Sequence, residues 1–390
     1  MTQQVLIAGG GIGGLAAALA CARSGAGVQL FERAAEFSEV GAGVQLGPNV
    51  VKILQSWGLG DALKDAAAFP HRLQVRHAAS GEELGVLRLG EVAVQRYEAP
   101  YVTIHRADLH GLLLAAVKAH GDPQLHLNAQ LERFAQQDGG VTLQTTDGRL
   151  ASGELLVGAD GLWSRVRTLL LGDGPPRVTG HLAYRALVPQ HSLPQHLRSS
   201  QVTVWLGPKL HLVQYPVRRG EWLNVVGIIQ GRINADLENW DHSANAADLR
   251  AAMAGTCAPL QDLLRAIDHW RLWPLCDRPP MRGPQEQAQG RVALLGDAAH
   301  PMRPYLAQGA GMAIEDAAEL GRVLALPGLD ASAALQRYAL NRWQRNARVQ
   351  ARSIRNGEIF HASGLMRWGR DLALKLLGER LLDQPWLYRG

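Results

Sequence analysis

The chain is poor in cysteine: Cys21, Cys257 and Cys276 lie far apart, are odd in number and form no C-x-x-C pair. That pattern excludes a dithiol redox centre and a cysteine-based metal site. Long apolar runs are also missing, and no stretch approaches the roughly eighteen uncharged residues of a membrane-crossing helix. Met1-Thr2-Gln3-Gln4 leads straight into an apolar strand, which leaves no room for a signal peptide, so a cytoplasmic location is expected. Clustered basic charge is scarce as well. The formal net charge is +5 and the pI about 9.3, yet Lys and Arg are scattered except at Arg337, Arg342, Arg345, Arg348, Arg352 and Arg355, which follow a helical pattern. A solvated basic helix face is the expectation there, and neither nucleic acid nor metal is expected as a partner. No internal repeat or low-complexity segment occurs.

What is present starts with Val5-Leu6-Ile7-Ala8-Gly9-Gly10-Gly11-Ile12-Gly13-Gly14-Leu15. An apolar strand breaks into glycines and resumes as an alanine-rich helix, with Gly9, Gly11 and Gly14 at the spacing G-x-G-x-x-G. These glycines serve a tight turn, close backbone approach to a pyrophosphate, and close helix–strand packing. The helix N-terminus adds free N–H groups and partial positive charge. Val28 to Phe31 forms a second strand, and Glu32 follows about twenty residues past the glycines, where a carboxylate accepts hydrogen bonds from a ribose. The unit binds a dinucleotide; by itself it leaves NAD and FAD open.

With 390 residues, 47% of them apolar, the chain has room for two or three packed units. The small-residue tract Gly41 to Asn49 leads into a helical pattern from Val50 to Trp57. Leu73–His77 and Leu84–Leu89 flank Ser80-Gly81 as a hairpin, Tyr101 to Leu109 runs from strand into helix, and a meander follows at Leu125 to Leu150. Leu155-Leu156-Val157-Gly158-Ala159-Asp160-Gly161 is another buried strand ending in an acid, ahead of a helix start with Ser164, Arg165 and Arg167. From Leu182 to Gln230 the β-branched and aromatic pattern predicts a separate antiparallel sheet. Arg291 to His300 is a third strand ending in Gly296-Asp297, and a proline-punctuated loop leads to Gly309-Ala310-Gly311, a helix from Met312 to Leu326 and helices around 335–354 and 365–382. No second G-x-G-x-x-G follows a strand, so one dinucleotide has a dedicated fold.

Three motifs stand together: the N-terminal glycines, Gly158-Ala159-Asp160-Gly161 with Arg167, and Gly296-Asp297-Ala298-Ala299-His300-Pro301 with Gly309-Ala310-Gly311. In this combination and order the chain resembles the single-component FAD-dependent aromatic hydroxylases, the group A flavoprotein monooxygenases, over almost its whole length. The tract Pro301 to Ala310, Ala183-Tyr184-Arg185-Ala186-Leu187 and Trp386-Leu387-Tyr388 look closest to 3-hydroxybenzoate 6-hydroxylases and salicylate hydroxylases. The implied fold is α/β, a Rossmann-like FAD-binding domain (1–70, 97–177 and 278–355) with an inserted antiparallel-sheet substrate domain (71–96 and 178–277) and a C-terminal helical segment (356–390). The implied activity is NADH- or NADPH-dependent hydroxylation of a small phenolic acid with O2, through a flavin C4a-hydroperoxide, by a monomer or homodimer. A 6-hydroxynicotinate-type hydroxylase, a flavin dehydrogenase without oxygen insertion and an idle flavin-binding module are the alternatives.

The resemblance assigns Gly9, Gly11, Gly14 and Glu32 to the ADP half of FAD and puts Arg106 beside the diphosphate or ribityl region. Arg33, Gln45 and Pro304 are carried in the cofactor set, although Gln45 departs from hydroxynicotinate relatives, where a histidine is expected. Asp160 either organises backbone near the pyrophosphate or simply forms an Asp-Gly turn. Asp297 is placed for ribityl hydroxyls, with a helix N-cap as the structural alternative. The helix start at Gly309, Ala310 and Gly311 would stabilise negative charge on reduced flavin, and small residues in 41–47 and 301–304 would keep water out. The period of two puts His211, Val213 and Tyr215 on one strand face. His211 can take a phenolic proton near neutral pH, and by resemblance His211, Tyr215 and Gln308 match substrate-pocket residues. His300 is expected to be structural. Arg185 and Arg303 are both candidates for a substrate carboxylate, and nothing in the sequence chooses between them.

Overall fold

Five residues, Gln4–Ala8, the last four apolar and buried, form a central strand of a six-stranded sheet, described here from a computed structural model covering residues 3–38, 42–231, 242–244 and 246–390. Gly41, at the head of the small-residue tract, lies outside these residues. The chain packs as two units: residues 1–40, 107–177 and 276–353, and residues 41–106, 178–275 and 354–390. Residues 41–70, 97–106 and 356–390 therefore cluster with the large sheet. These are units of packing, whereas the domains expected from the sequence were drawn around FAD binding.

In the first unit the strand order is Ala288–Gln289, Val292–Leu294, Leu155–Gly158, Gln4–Ala8, Gly27–Phe31 and Gln124–His126, with parallel pairing through the five strands from Val292–Leu294 onward. Buried on both faces, such strands read as unbroken apolar runs rather than alternating ones. The helix Ile12–Arg23 follows the glycine loop and packs against the helix Gly309–Leu324. Gly321 permits that contact, since a Cβ there would come within 2.8 Å of the Ala20 carbonyl oxygen. The meander appears as a three-stranded antiparallel sheet, Leu131–Gln137, Gly140–Thr145 and Leu150–Gly153, while Gln124–His126 joins the parallel sheet instead.

The helix Ala331–Phe360 is a single 30-residue element, and one expectation about it fails. Arg342 is buried, with its guanidinium 2.9 Å from Glu315 and 2.8 Å from Asp316, and Arg345 lies 2.6 Å from Glu315. The helix therefore turns part of its basic row inward, onto two buried acids of Gly309–Leu324.

In the second unit an eight-stranded sheet carries Arg177–Pro189, Trp222–Gln230, Leu210–Val217 and Val202–Gly207 as antiparallel neighbours. It is not wholly antiparallel, because Val202–Gly207 pairs in parallel with Arg72–His77 of the hairpin. One face, bearing Leu210, Leu212, Tyr184, Leu223 and Val225, forms a core with Leu249, Met253 and Leu260 from the helices Ala246–Ala252 and Ala258–Arg265. That burial leaves the opposite face for other work.

Candidate active site

The glycine loop is shaped by contacts no other residue allows. Gly9 has φ +105°, and a Cβ on it would lie 2.4 Å from the Ala159 carbonyl oxygen; a Cβ on Gly14 would lie 1.9 Å from the Gly9 carbonyl oxygen. Gly11 is the N-cap of Ile12–Arg23, where no side chain caps the helix and no acid occupies the first turn. Its N–H groups and dipole are thus left for an external anion. Glu32 accepts hydrogen bonds from the backbone N–H of Gly10 at 2.6 Å and of Ala34 at 2.8 Å. This fixes the carboxylate at the mouth of the loop, and each oxygen retains a lone pair for a hydroxyl. Arg33, next to it, is exposed.

Asp160 is committed locally. It accepts from the Ser164 hydroxyl and from the N–H groups of Arg165 at 2.7 Å and Val166 at 3.0 Å, at the start of Arg165–Leu171. Burial pushes its pKa up against those hydrogen bonds. Arg167 explains why the two aspartate motifs accompany one another: its guanidinium donates to the carbonyls of Ala298 and Ala299 and pairs with Asp173 at 2.6 Å. The Asp-Gly segment thereby holds the Gly296–His300 turn in place. Asp297 itself is exposed between buried neighbours in the turn Gly296–Ala298. It is not an α-helix cap, since Gln308 precedes the helix Gly309–Leu324. Gln308 is buried, Pro304 is exposed, and Gly309 and Ala310 add no more than one methyl group at a helix start with no side-chain cap; Gly311 is buried behind them.

His300 is fully buried, 2.5 Å from Asp316, whose other oxygen meets Arg342. Burial alone would raise the Asp316 pKa, but the charges of His300 and Arg342 hold it well below the usual carboxylate range. The structural expectation for His300 is met. Arg303 is equally committed, with its guanidinium 2.8 Å from Asp277, which also pairs with Arg177 at 3.0 Å. The cysteines are all free, and burial pushes the Cys21 thiol up to about 12.

In the second unit, the opposite face of the large sheet gathers the other candidates. Registers place His211 opposite Ile228 and Ala183, Val213 opposite Val226 and Arg185, and Tyr215 opposite Asn224 and Leu187. Directly opposed residues share a face, so Arg185 lies in the row between His211 and Tyr215, two strands or about 10 Å away. The strand Gly43–Leu46 approaches this face closely. Tyr215 donates to the Gly43 carbonyl at 2.7 Å and the Gly43 N–H donates to Asn224 at 2.6 Å. A Cβ on Gly43 would come within 2.5 Å of the Tyr215 ring. Gln45 accepts from Tyr101 at 2.7 Å. Burial drives the Tyr215 pKa far up, opposed by Arg185, Gln45 and Asn224, and the phenol stays protonated.

Arg185 stacks on Trp273 at 5.0 Å, and no carboxylate pairs with it among the described residues. Burial lowers its pKa, and Arg106 acts in the same direction while Tyr215 opposes.

His211 is buried with Nδ1 2.8 Å from Nε2 of His361, and the His181 ring lies 4.7 Å from that of His361. Neither partner was expected, since isolated histidines 30 and 150 positions from His211 give no periodic signal. Burial first, then His361 and His181, hold His211 well below the ordinary imidazole range. The unfolded chain accepts a proton there below about pH 6.5, whereas the folded chain does not, so stability should decline as pH falls through that value. Urea unfolding between pH 7.5 and 5.5 should show wild type losing about 1 kcal/mol more than His211→Asn; equal losses would refute the assignment.

The family described as FAD binding domain matches residues 2–353. The 3-hydroxybenzoate 6-hydroxylase of Polaromonas naphthalenivorans (strain CJ2) is 38% identical over 98% of this chain and 95% of that protein. The 6-hydroxynicotinate 3-monooxygenase of Bordetella bronchiseptica is 39% identical over 89% of each. Among solved structures, Klebsiella pneumoniae HpxO complexed with FAD and uric acid superposes with TM-score 0.85 at 28% identity, over 97% of this chain and 94% of that one. Among the described residues, no helix is long and apolar enough to cross a membrane.

Proposed function

Because this chain belongs to the FAD-dependent aromatic hydroxylases, we propose that it uses NADH or NADPH and O2 to hydroxylate a small phenolic acid of the 3-hydroxybenzoate type. The observation that carries the acid is Arg185, a half-buried residue whose buried Nε lacks a hydrogen-bond partner and whose guanidinium has no carboxylate partner among the described residues, on the sheet face it shares with His211 and Tyr215. The names of the relatives, among them 3-hydroxybenzoate 6-hydroxylases and 6-hydroxynicotinate 3-monooxygenases, support the same class.

The glycine cradle, the pinned Glu32 and the exposed Asp297 suit FAD. Glu32 would accept from the adenosine ribose and Asp297 from ribityl hydroxyls. The uncapped helix start at Gly309 would face negative charge on the ring. Bound FAD supplies the capacity to take a hydride from the nicotinamide, activate O2 and deliver one oxygen atom to an electron-rich ring.

The remaining work falls to side chains. Arg185, its plane held by Trp273, would grip the carboxylate through paired N–H donors. A neutral His211 is suited to receiving the phenolic proton at Nε2, provided Nδ1–H donates to His361; that tautomer leaves the needed lone pair free. Tyr215, already donating to Gly43, would serve as a wall and hydrogen-bond acceptor. Gln308 and Arg106 complete the proposed set for substrate and cofactor respectively.

The test is a panel of hydroxybenzoates and pyridine carboxylates scored for stimulated NAD(P)H oxidation, O2 uptake and product identity. At least one acid should stimulate oxidation and leave hydroxylated. Anaerobic turnover with an artificial acceptor and no oxygenated product would instead identify a dehydrogenase.

A further inference from the structure

Helix Arg106–Ala119 buries three aliphatic side chains and one polar one, His110, and the polar one reaches the glycine loop. Nε2 of His110 lies 2.8 Å from the carbonyl oxygen of Gly10. A carbonyl oxygen only accepts, so the imidazole proton sits on Nε2 and His110 donates. The N–H of the same glycine donates to Glu32 at 2.6 Å. Both backbone polar groups of residue 10, the variable position between Gly9 and Gly11, are therefore held by side chains from other segments. Phe37 closes the space beside them. Its ring centroid is 6.3 Å from that of His110, and a Cβ on Gly10 would lie 2.7 Å from the edge of the Phe37 ring and 3.1 Å from Glu32.

A trans peptide is planar, so the carbonyl of Gly10 and the N–H of Gly11, which belong to one peptide unit, point in opposite directions. With the carbonyl drawn to His110, the Gly11 N–H faces away from helix Arg106–Ala119. Gly11 is the N-cap of Ile12–Arg23, and among the described residues no acceptor within the chain meets its N–H. Turned the other way, the same peptide would aim the negative end of its dipole at an anion on the loop and repel it. We propose that His110 is a positioning residue for the diphosphate of FAD: by holding the Gly10 carbonyl back, it aims the Gly11 N–H at the phosphate oxygens. The inference rests on FAD as the bound dinucleotide. His110 acts through one rigid peptide, so its influence is confined to the ADP half of the cofactor. Without the donor a buried carbonyl loses its partner, and rotation of the peptide to find another takes the N–H away from the anion.

The test is FAD binding by the full-length apoprotein, followed by flavin fluorescence, with circular dichroism as the check on folding. His110→Leu and His110→Phe keep an apolar side chain but lack the donor. Each should bind FAD about 30-fold more weakly than wild type, the loss of one hydrogen bond to a charged group. His110→Gln, whose amide Nε2 can donate to the same carbonyl, should stay within about 3-fold of wild type. A merely structural role would neither sort the variants by donor nor mark the phosphates. In phosphorus NMR of the FAD-loaded proteins the diphosphate resonances of His110→Leu should move, those of His110→Gln should match wild type, and the visible flavin spectrum should be the same in all three. FAD bound by His110→Leu as tightly as by wild type, equal losses in His110→Leu and His110→Gln, unmoved phosphorus resonances in His110→Leu, or failure of both donor-less variants to fold would each overturn the proposal and leave FAD binding by wild type standing. A wild type that binds no FAD would overturn the cofactor reading itself.

Discussion

Replacing Arg185 with methionine is expected to raise the KM for a hydroxylated aromatic acid about 100-fold, with FAD content unchanged. Truncating one partner of a desolvated charge pair costs 2–5 kcal/mol, and 100-fold corresponds to about 2.7 kcal/mol. Methionine keeps much of the apolar stem that lies against Trp273, so the loss reports the guanidinium. The control is a phenol lacking the carboxylate, a poor substrate for wild type that should lose nothing further in the variant. Equal losses for acid and phenol would remove Arg185 as the carboxylate partner while leaving aromatic hydroxylation intact. Arg303→Met should behave differently: its guanidinium is held by Asp277 beside Arg177, so its loss should lower stability and leave the acid-to-phenol preference unchanged.

The second large effect concerns the cofactor. Gly14→Ala would place a methyl group 1.9 Å from the Gly9 carbonyl oxygen, a backbone atom that moves only with the whole loop. The turn must open, and FAD affinity should fall at least about 100-fold, an expected loss of roughly 3 kcal/mol. Gly111→Ala, in the helix Arg106–Ala119 with nothing within 4 Å of the added atom, should be neutral or stabilise by up to about 1 kcal/mol. Flavin absorbance after gel filtration and thermal unfolding of both variants would check this; FAD retained in Gly14→Ala would contradict the assigned cradle.

Much of the fold was legible because its signals are local. The strand at Gln4–Ala8, the glycine turn and the helix behind it follow from a few adjacent residues, and so does the hairpin around Ser80-Gly81. The parallel pairing of Val202–Gly207 with Arg72–His77 was not legible, since it joins segments about 130 positions apart with no turn to fix their register. The basic row from Arg337 was misread for a related reason. Periodicity shows which residues share a face, but the acids that draw Arg342 and Arg345 inward lie on another helix.

The site divides along the same line. The alternation that put His211 and Tyr215 on one face is a property of one strand. Arg185 and Arg303 looked equivalent because Asp277, which occupies Arg303, is distant from both in sequence. His361 and His181 joined His211 only through tertiary packing.

Arg342 and Arg345 also bear on how readily a bound flavin would take up electrons. Glu315 and Asp316 sit in the second turn of Gly309–Leu324, where two unbalanced carboxylates would cancel the positive potential at the helix start. Arg342 and Arg345 neutralise them from behind, so the helix start keeps its positive field. In the proposed arrangement the helix Ala331–Phe360 would thereby raise the reduction potential of a bound flavin, sparing the charge of the reduced ring from two nearby anions.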